Sequence, residues 1–389
     1  MQTTDPTVAT LARLVAWNTI SDRSVDPLAA HLAERAEAAG MRVERYETSP
    51  GKCNIVASAG PQGAEGLVLS GHMDVVPVEG QPWTSDPFTL TARDGRLHAR
   101  GACDMKGFIA ASVEAVARLD LSALRRELVL VWTHDEEVGC KGSAALASQL
   151  VGRAAPLPSL AVIGEPTDFR VCRMHPGHLS LEVRCGGRAA HSSRPELGAN
   201  AIRVAARALA ALEGLEEQLR AERAFEADLE RPYAIVNVGM IQGGAAINIV
   251  PDAAVIRLGV RPLPGQDVER LIARFQAAIA EVHAEVSAWG GSATLLPLHL
   301  APALLTPPHT ALERLLQPHA ARHAGCAVPF ATDGGNLEKL GVRSLIFGPG
   351  SIDVAHRADE FVLAADLVRT TDILTDLITR VCGSASARA

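Results

Sequence analysis

LVLSGHMD, residues 67–74, is the most telling stretch of this chain. Its short apolar run is bounded by glycine and followed at once by His72 and Asp74. That is too short for a core helix and reads as a strand buried on both faces. Two further segments repeat the pattern: ELVLVWT, residues 127–133, runs into Glu136 and Glu137, and LAVIG, residues 160–164, runs into Glu165. Strands buried on both faces belong to parallel sheets covered by helices, and the carboxyl ends of parallel strands share one edge. That edge is where open α/β sheets bind ligands, so three separated motifs are expected to meet there.

Outward from this stretch the first part of the chain alternates helix and strand. Apolar residues recur at helical spacing over residues 7–17, and a second helix from Pro27 stops at Gly40. Strands are expected at 42–47 and 54–59, then a turn-rich stretch holding Pro82, Pro87 and Asp94-Gly95, then a helix over 105–119. From Leu179 the rhythm changes to strand 179–185, the segment His191-Ser-Ser-Arg-Pro, an alanine-rich helix over 199–215, strands 234–241 and 253–261, a helix over 268–286 and a strand from Ala293. The charge-dense residues 216–232 read as helix or exposed linker. A β-α-β-β-α-β order is that of a small two-layer sandwich inserted into a larger domain. After Pro302 the α/β character returns, with a helix near Leu312, strand 344–348, a loop to His356 and a closing helix over 364–382. The expected fold is α/β, with a mostly parallel sheet flanked by helices in residues 1–177 and 302–389, and the inserted sandwich in 178–301. The tail from Gly383 is expected to be disordered.

Composition narrows the function classes. A chain of 389 residues with 48% hydrophobic content exceeds the usual single domain and can bury a sizeable core. Its net charge of -7 offers no basic face for phosphates, so nucleic acid is not an expected partner. No apolar run reaches the length of a membrane span, and the first residues lack a secretory pattern, so a cytoplasmic protein with no membrane partner is expected. Seven scattered cysteines without a CxxC pair fit a reducing compartment.

Chemistry is concentrated in five motifs: SGHMD with His72 and Asp74, GACDMKG with Asp104, DEEVG with Glu136 and Glu137, GEPT with Glu165, and AHR with His356. Alone, Asp104 before a helix would read as an N-cap. In this company the set supplies imidazole nitrogen and carboxylate oxygen in the proportions a two-ion hydrolase site needs, with one glutamate to spare. Glu136 and Glu137 are adjacent, so in extended backbone one can hold metal while the other faces the substrate.

These motifs, in this order and spacing, resemble the M20 family of metal-dependent amidohydrolases and peptidases. Within the family, residues 83–108, INIVP at 247–251, RPLPG at 261–265 and FGPGSIDVAHRADE at 347–360 are similar to the acetylornithine deacetylase and succinyl-diaminopimelate desuccinylase group. The resemblance implies hydrolysis of the amide bond of an N-acyl amino acid, N-acetyl-L-ornithine first, with another N-acyl amino acid amidase or a dipeptidase as alternatives, and a non-catalytic binding protein as a remote one. It implies two divalent ions, zinc before cobalt or manganese. Asp104 would bridge them, with His72 and Glu165 on one and Glu137 and His356 on the other. Glu136 would be the general base, and Asp74 would hydrogen-bond the His72 imidazole through its carboxylate. The inserted domain would serve as a lid and form a homodimer, with His191 stabilising the oxyanion in the other subunit's site and Asn248 and Arg261 contacting substrate. Gly350 and Ser351 would shape a substrate-facing loop. His98, His134, His175 and His178 lie near the motifs without being expected ligands. Cys103 and Cys140 read as small buried hydrophobes, each a soft ligand for an intruding metal in the other reading. ATDGGNL, residues 331–337, departs from the deacetylase pattern at a place that faces substrate in the family.

Overall fold

The computed structural model describes residues 5–152, 155–222, 229–321 and 327–383. The tail expected to be disordered lies, beyond Gly383, outside them, as does the middle of the charge-dense stretch. The chain forms two compact units: Met1–Met174, Leu304–Val328 and Thr332–Ala389 make the first, and His175–Ala303 with Pro329–Ala331 the second.

The first unit is built on a six-stranded sheet ordered Arg42–Ser49, Lys52–Ala59, Glu127–Thr133, Gly66–His72, Leu160–Ile163, Arg343–Ile346. The last four strands run parallel, and the Lys52–Ala59 strand pairs antiparallel with Glu127–Thr133. Because side chains alternate along a strand, each central strand feeds two cores. Leu67, Leu69, Leu128, Leu130 and Trp132 pack with Leu11, Leu32, Phe108 and Leu374 of the helices Pro6–Val15, Asp26–Ala38, Lys106–Ala117 and Ala364–Cys382. Val68, Val129, Val131 and Ile163 face the other way, onto Leu146, Leu150 and Leu337. Each such side chain contributes roughly 1.5–3 kcal/mol by leaving water, so the apolar runs and the helical layers stabilise one another.

The parallel register places His72 opposite Thr133 and Ser70 opposite Ile163. The chain therefore leaves three neighbouring strands at one edge, carrying His72, then Glu136 and Glu137, then Glu165. Asp94 and Gly95, both at positive φ, close a small hairpin of Thr91–Arg93 on Arg96–His98, which extends to Phe361–Leu363. In the sequence this stretch shows only turn residues, and the helix Lys141–Leu150 carries no clear helical pattern there.

The second unit holds an antiparallel sheet ordered Ile235–Gly243, Ala253–Arg261, His178–Gly186, Ser292–Ala301. Its helices Ala201–Ala221 and Val268–Ser287 cover one face, where Leu179, Leu181 and Val183 meet Leu212, Phe275 and Ile279. The alternating residues point away, and Glu182 there accepts hydrogen bonds from Arg184 Nε and Arg257 Nε, each at 2.8 Å. The helix Ala201–Ala221 starts where the Asn200 side chain accepts from the amides of Ile202 and Arg203.

Candidate metal centre

Asp104 lies between two imidazoles. His72 Nε2 is 3.0 Å from its Oδ1, and His356 Nε2 is 3.2 Å from its Oδ2 and 3.0 Å from Glu137 Oε2. On the other side, His72, Glu136 and Glu165 offer ligand atoms all within 4.8 Å of one another, as do His72, Asp104 and Glu137. The parallel strands deliver His72, the glutamate pair and Glu165, and the loop before helix Lys106–Ala117 delivers Asp104. His356 comes from a loop and adopts a left-handed backbone, φ 63. A non-glycine residue there is strained, and such strain collects at functional sites.

The Asp74 carboxylate does not reach the imidazole as expected. The Nδ1–H of His72 donates to the backbone carbonyl of Asp74 at 2.9 Å, while Asp74 Oδ1 stands 3.8 Å away. The carbonyl holds the ring in place and turns Nε2 toward Asp104. The carboxylate instead accepts the amides of Glu136 at 3.0 Å and Glu137 at 3.3 Å, and the hydroxyl of Ser21 at 2.7 Å. It thus shapes the backbone of the glutamate pair.

A second device went unread in the sequence. Glu360 Oε1 accepts the amides of Cys103 at 2.9 Å and Asp104 at 3.0 Å, and Glu360 pairs with Arg100 in the interior. Arg100 also donates to Gln81 Oε1 at 2.7 Å, and Gln81 donates to the carbonyl of His356 at 3.0 Å. One buried ion pair therefore braces both the Asp104 and the His356 loops. RADE could have suggested Glu360, but nothing in the linear sequence links it to Arg100.

Electrostatics agree with a cation site. Burial, then the neighbouring Asp104 and Glu136 charges, push Glu165 well above the usual carboxylate range. Burial and Asp104 raise Glu137 to about 7, and burial followed by the Asp333 and Glu137 charges raises Glu136 well up despite His72. For Asp104, burial acts against ionisation, but hydrogen bonds from His356 and His72 outweigh it and hold its carboxyl below the ordinary range. Hydrogen bonds to Asp104 and Glu137 raise His356 to about 11. Glu137 Oε1 is buried with no hydrogen-bond partner among the described residues. Four buried carboxylates against two imidazoles, His72 buried and His356 open to solvent, form a donor set that divalent cations fit and compensate.

The remaining expected residues are spread over both units. Gly350 has φ +77, and a Cβ there would lie 2.5 Å from Cys103 Sγ. Its carbonyl accepts the Asp168 amide at 2.7 Å, and Cys103 Sγ donates to the Ser351 carbonyl at 3.5 Å. This loop is thereby fastened beside Asp104. His191, Asn248 and Arg261 lie in the second unit: His191 pairs with Ile249 in a two-stranded ribbon, Asn248 is exposed beside it, and Arg261 ends a sheet strand. The nearby histidines serve backbone groups or other side chains. His98 Nδ1–H donates to the Asp359 carbonyl, His175 Nδ1–H to the Pro176 carbonyl, and His134 bonds Thr48. Residues 332–337, expected to face substrate, are buried, and Asp333 lies with Glu136 and Cys140.

A mainly parallel sheet delivers His72, Glu136, Glu137 and Glu165 at one edge, and loops bring Asp104 and His356, a layout suited to metal-assisted hydrolysis. The family model for peptidase family M20/M25/M40 matches residues 68–380, and the chain belongs to that family. A curated acetylornithine deacetylase from Myxococcus xanthus is 37% identical over 96% of this chain and 97% of its own length. Among solved structures, an M20 family metallo-carboxypeptidase from Sulfolobus solfataricus superposes with TM-score 0.77 at 19% identity, over 96% of this chain and 98% of that one. A dinuclear metal binding M20 peptidase from Bacillus subtilis gives TM-score 0.68 at 14% identity, over 96% and 97%. These two share the fold, and the family makes the chain an amide-bond hydrolase. Among the described residues, no helix is long and apolar enough to cross a membrane.

Proposed function

We propose that this chain removes the acyl group from N-acyl amino acids, with N-acetyl-L-ornithine as the leading substrate and acetate and L-ornithine as products. The observation that carries the proposal is the division inside the buried cluster. Asp104 sets one oxygen toward each imidazole, while Glu136, whose ligand atom lies within 4.8 Å of those of His72 and Glu165, accepts the Cys140 thiol proton. His72, Asp104 and Glu165 would hold one divalent ion, and Asp104, Glu137 and His356 a second; zinc suits this nitrogen and oxygen set, and cobalt or manganese would also be accepted. When bound, such ions supply Lewis acidity and bring the pKa of water toward neutrality.

Glu136 is the general base. It accepts one proton from the attacking water and passes it to the amine nitrogen as the carbon–nitrogen bond breaks, so the acyl group leaves as a carboxylic acid. Asp74 positions Glu136 and Glu137 through their amides. His191 stabilises the developing oxyanion: its Nδ1 accepts the Ser193 amide at 3.2 Å, so Nε2 carries the ring hydrogen on an exposed side chain. Arg261 grips the α-carboxylate and Asn248 contacts the substrate, while Gly350 and Ser351 shape the loop that carries His356. The chain acts as a homodimer through its second unit, where the edge strand Ile235–Gly243 exposes Val238, Met240 and Ile241. The relative named for acetylornithine supports the substrate.

The test is a panel of N-acyl amino acids run on protein of measured metal content. N-acetyl-L-ornithine should give the highest kcat/KM. Preference for a succinyl group or for a dipeptide with a free amino end would overturn the substrate assignment.

A further inference from the structure

Cys140 takes no part in the reaction just described, yet its backbone is held where a side chain is unfavourable. Its φ is 55, in the left-handed region, directly after Gly139 at φ 109. A glycine would sit there freely, whereas a Cβ is crowded against the following carbonyl. A cysteine kept in such a conformation is a reason to ask what its side chain does. Its Sγ donates to Glu136 Oε1 at 3.2 Å, inside the interior. The turn is fixed from both sides: the Cys140 amide donates to the Glu136 carbonyl at 2.8 Å, and the Cys140 carbonyl accepts from Asn336 Nδ2 and Ser143 Oγ, each at 3.1 Å. Asn336 Nδ2 also donates to Ser143 Oγ at 3.0 Å. Asp333 accepts from the Thr133 hydroxyl at the end of the strand that leads to Glu136. The unusual residues 331–337 thus contribute Asp333 and Asn336 to the surroundings of Glu136, a use that the proposed function does not assign.

We propose that Cys140 is a positioning residue for Glu136: its thiol proton holds Oε1, which leaves Oε2 for proton transfer, and Asn336 holds the Cys140 turn in place. The inference rests on Glu136 being the general base. Burial, and then the Glu136 and Asp333 charges, push the thiol well above its ordinary value, so it remains a donor at working pH. A cysteine acting only as a small hydrophobe would be replaced by alanine without effect on the rate of the chemical step.

The experiment uses metal-loaded full-length protein and the best substrate of the panel, with variants Cys140→Ala, Cys140→Gly, Cys140→Ser, Glu136→Gln and the double variant Glu136→Gln/Cys140→Ala. Cys140→Ala and Cys140→Gly should each lose about tenfold in kcat, the worth of one hydrogen bond, with KM and metal content unchanged. Cys140→Ser, which restores a donor, should return to within about threefold of wild type. Cys140→Gly relieves the left-handed strain, so its loss cannot be assigned to a chain that fails to fold. On the Glu136→Gln background, Cys140→Ala should cost nothing more, because no base remains to position. An unimpaired Cys140→Ala, or an equal loss with and without Glu136, would overturn the inference. An active Glu136→Gln enzyme would overturn the base assignment beneath it, whereas an inactive Glu136→Gln beside an unimpaired Cys140→Ala removes only the role given to Cys140.

Discussion

Asp104 and Asp74 illustrate what a residue's place in the chain reveals and what it hides. Both were legible as site residues, because each follows a strand or precedes a helix within a motif of ligand-type side chains. Asp104 sets one oxygen toward each imidazole, and the proposed bridging role rests on that arrangement. Asp74 was misread in detail: a two-residue spacing from His72 guarantees proximity but not which oxygen is used, and the backbone carbonyl takes the imidazole while the carboxylate holds two amides. Asp74→Asn, which has one acceptor where the carboxylate has two, should therefore lose about ten- to a hundredfold in kcat by displacing Glu136 and Glu137. Wild-type kcat in that variant, measured at saturating substrate and equal metal content, would show that the amide contacts do not matter.

At the scale of elements, the buried strands were readable because apolar runs bounded by Gly and charge have few other uses. The helix Lys141–Leu150 was not, since Gly142 and Ser143 interrupt its apolar spacing; both are buried there, and a Cβ on Gly142 would lie 2.0 Å from the His134 carbonyl. The brace of Arg100 and Glu360 was also invisible, because ion pairing between residues 260 positions apart leaves no local pattern. Gly164 joins the Leu160–Ile163 strand to Glu165, and a Cβ there would lie 1.9 Å from the Phe108 ring. Gly164→Ala should force strand end and helix apart and destabilise the fold by about 1–3 kcal/mol, with weaker metal retention. Thermal unfolding and metal analysis check this, and an unchanged Tm would contradict the packing described.

For the whole molecule, the change of rhythm near Leu179 was legible in the sequence, whereas the grouping of Pro329–Ala331 with the second unit depends on tertiary contacts. Chelation should lower Tm, because the fold buries Glu136, Glu137 and Glu165 together and without cations their mutual repulsion is uncompensated. Added zinc should restore it; a Tm indifferent to chelation would speak against the cation site. Acid sensitivity has another source. Burial, with Arg261 adding to it, lowers His175 from 6.5 to about 4, so between those values the unfolded chain binds a proton that the folded chain refuses. Stability contributed by neutral His175 is complete above about pH 6.5 and falls with acidification, by about 2 kcal/mol at pH 5. His175→Asn should flatten the Tm profile between pH 6.5 and 5; an equally steep profile would place the acid sensitivity elsewhere.

In the proposed metal-assisted amide hydrolysis, Glu136 moves the proton and does not hold the metal. The most direct test is the kcat of Glu136→Gln on N-acetyl-L-ornithine, measured beside the metal content of the same preparation. The prediction is a loss of at least about a thousandfold with the full complement of divalent ions retained. Near wild-type turnover, or loss of the ions along with the activity, would contradict it.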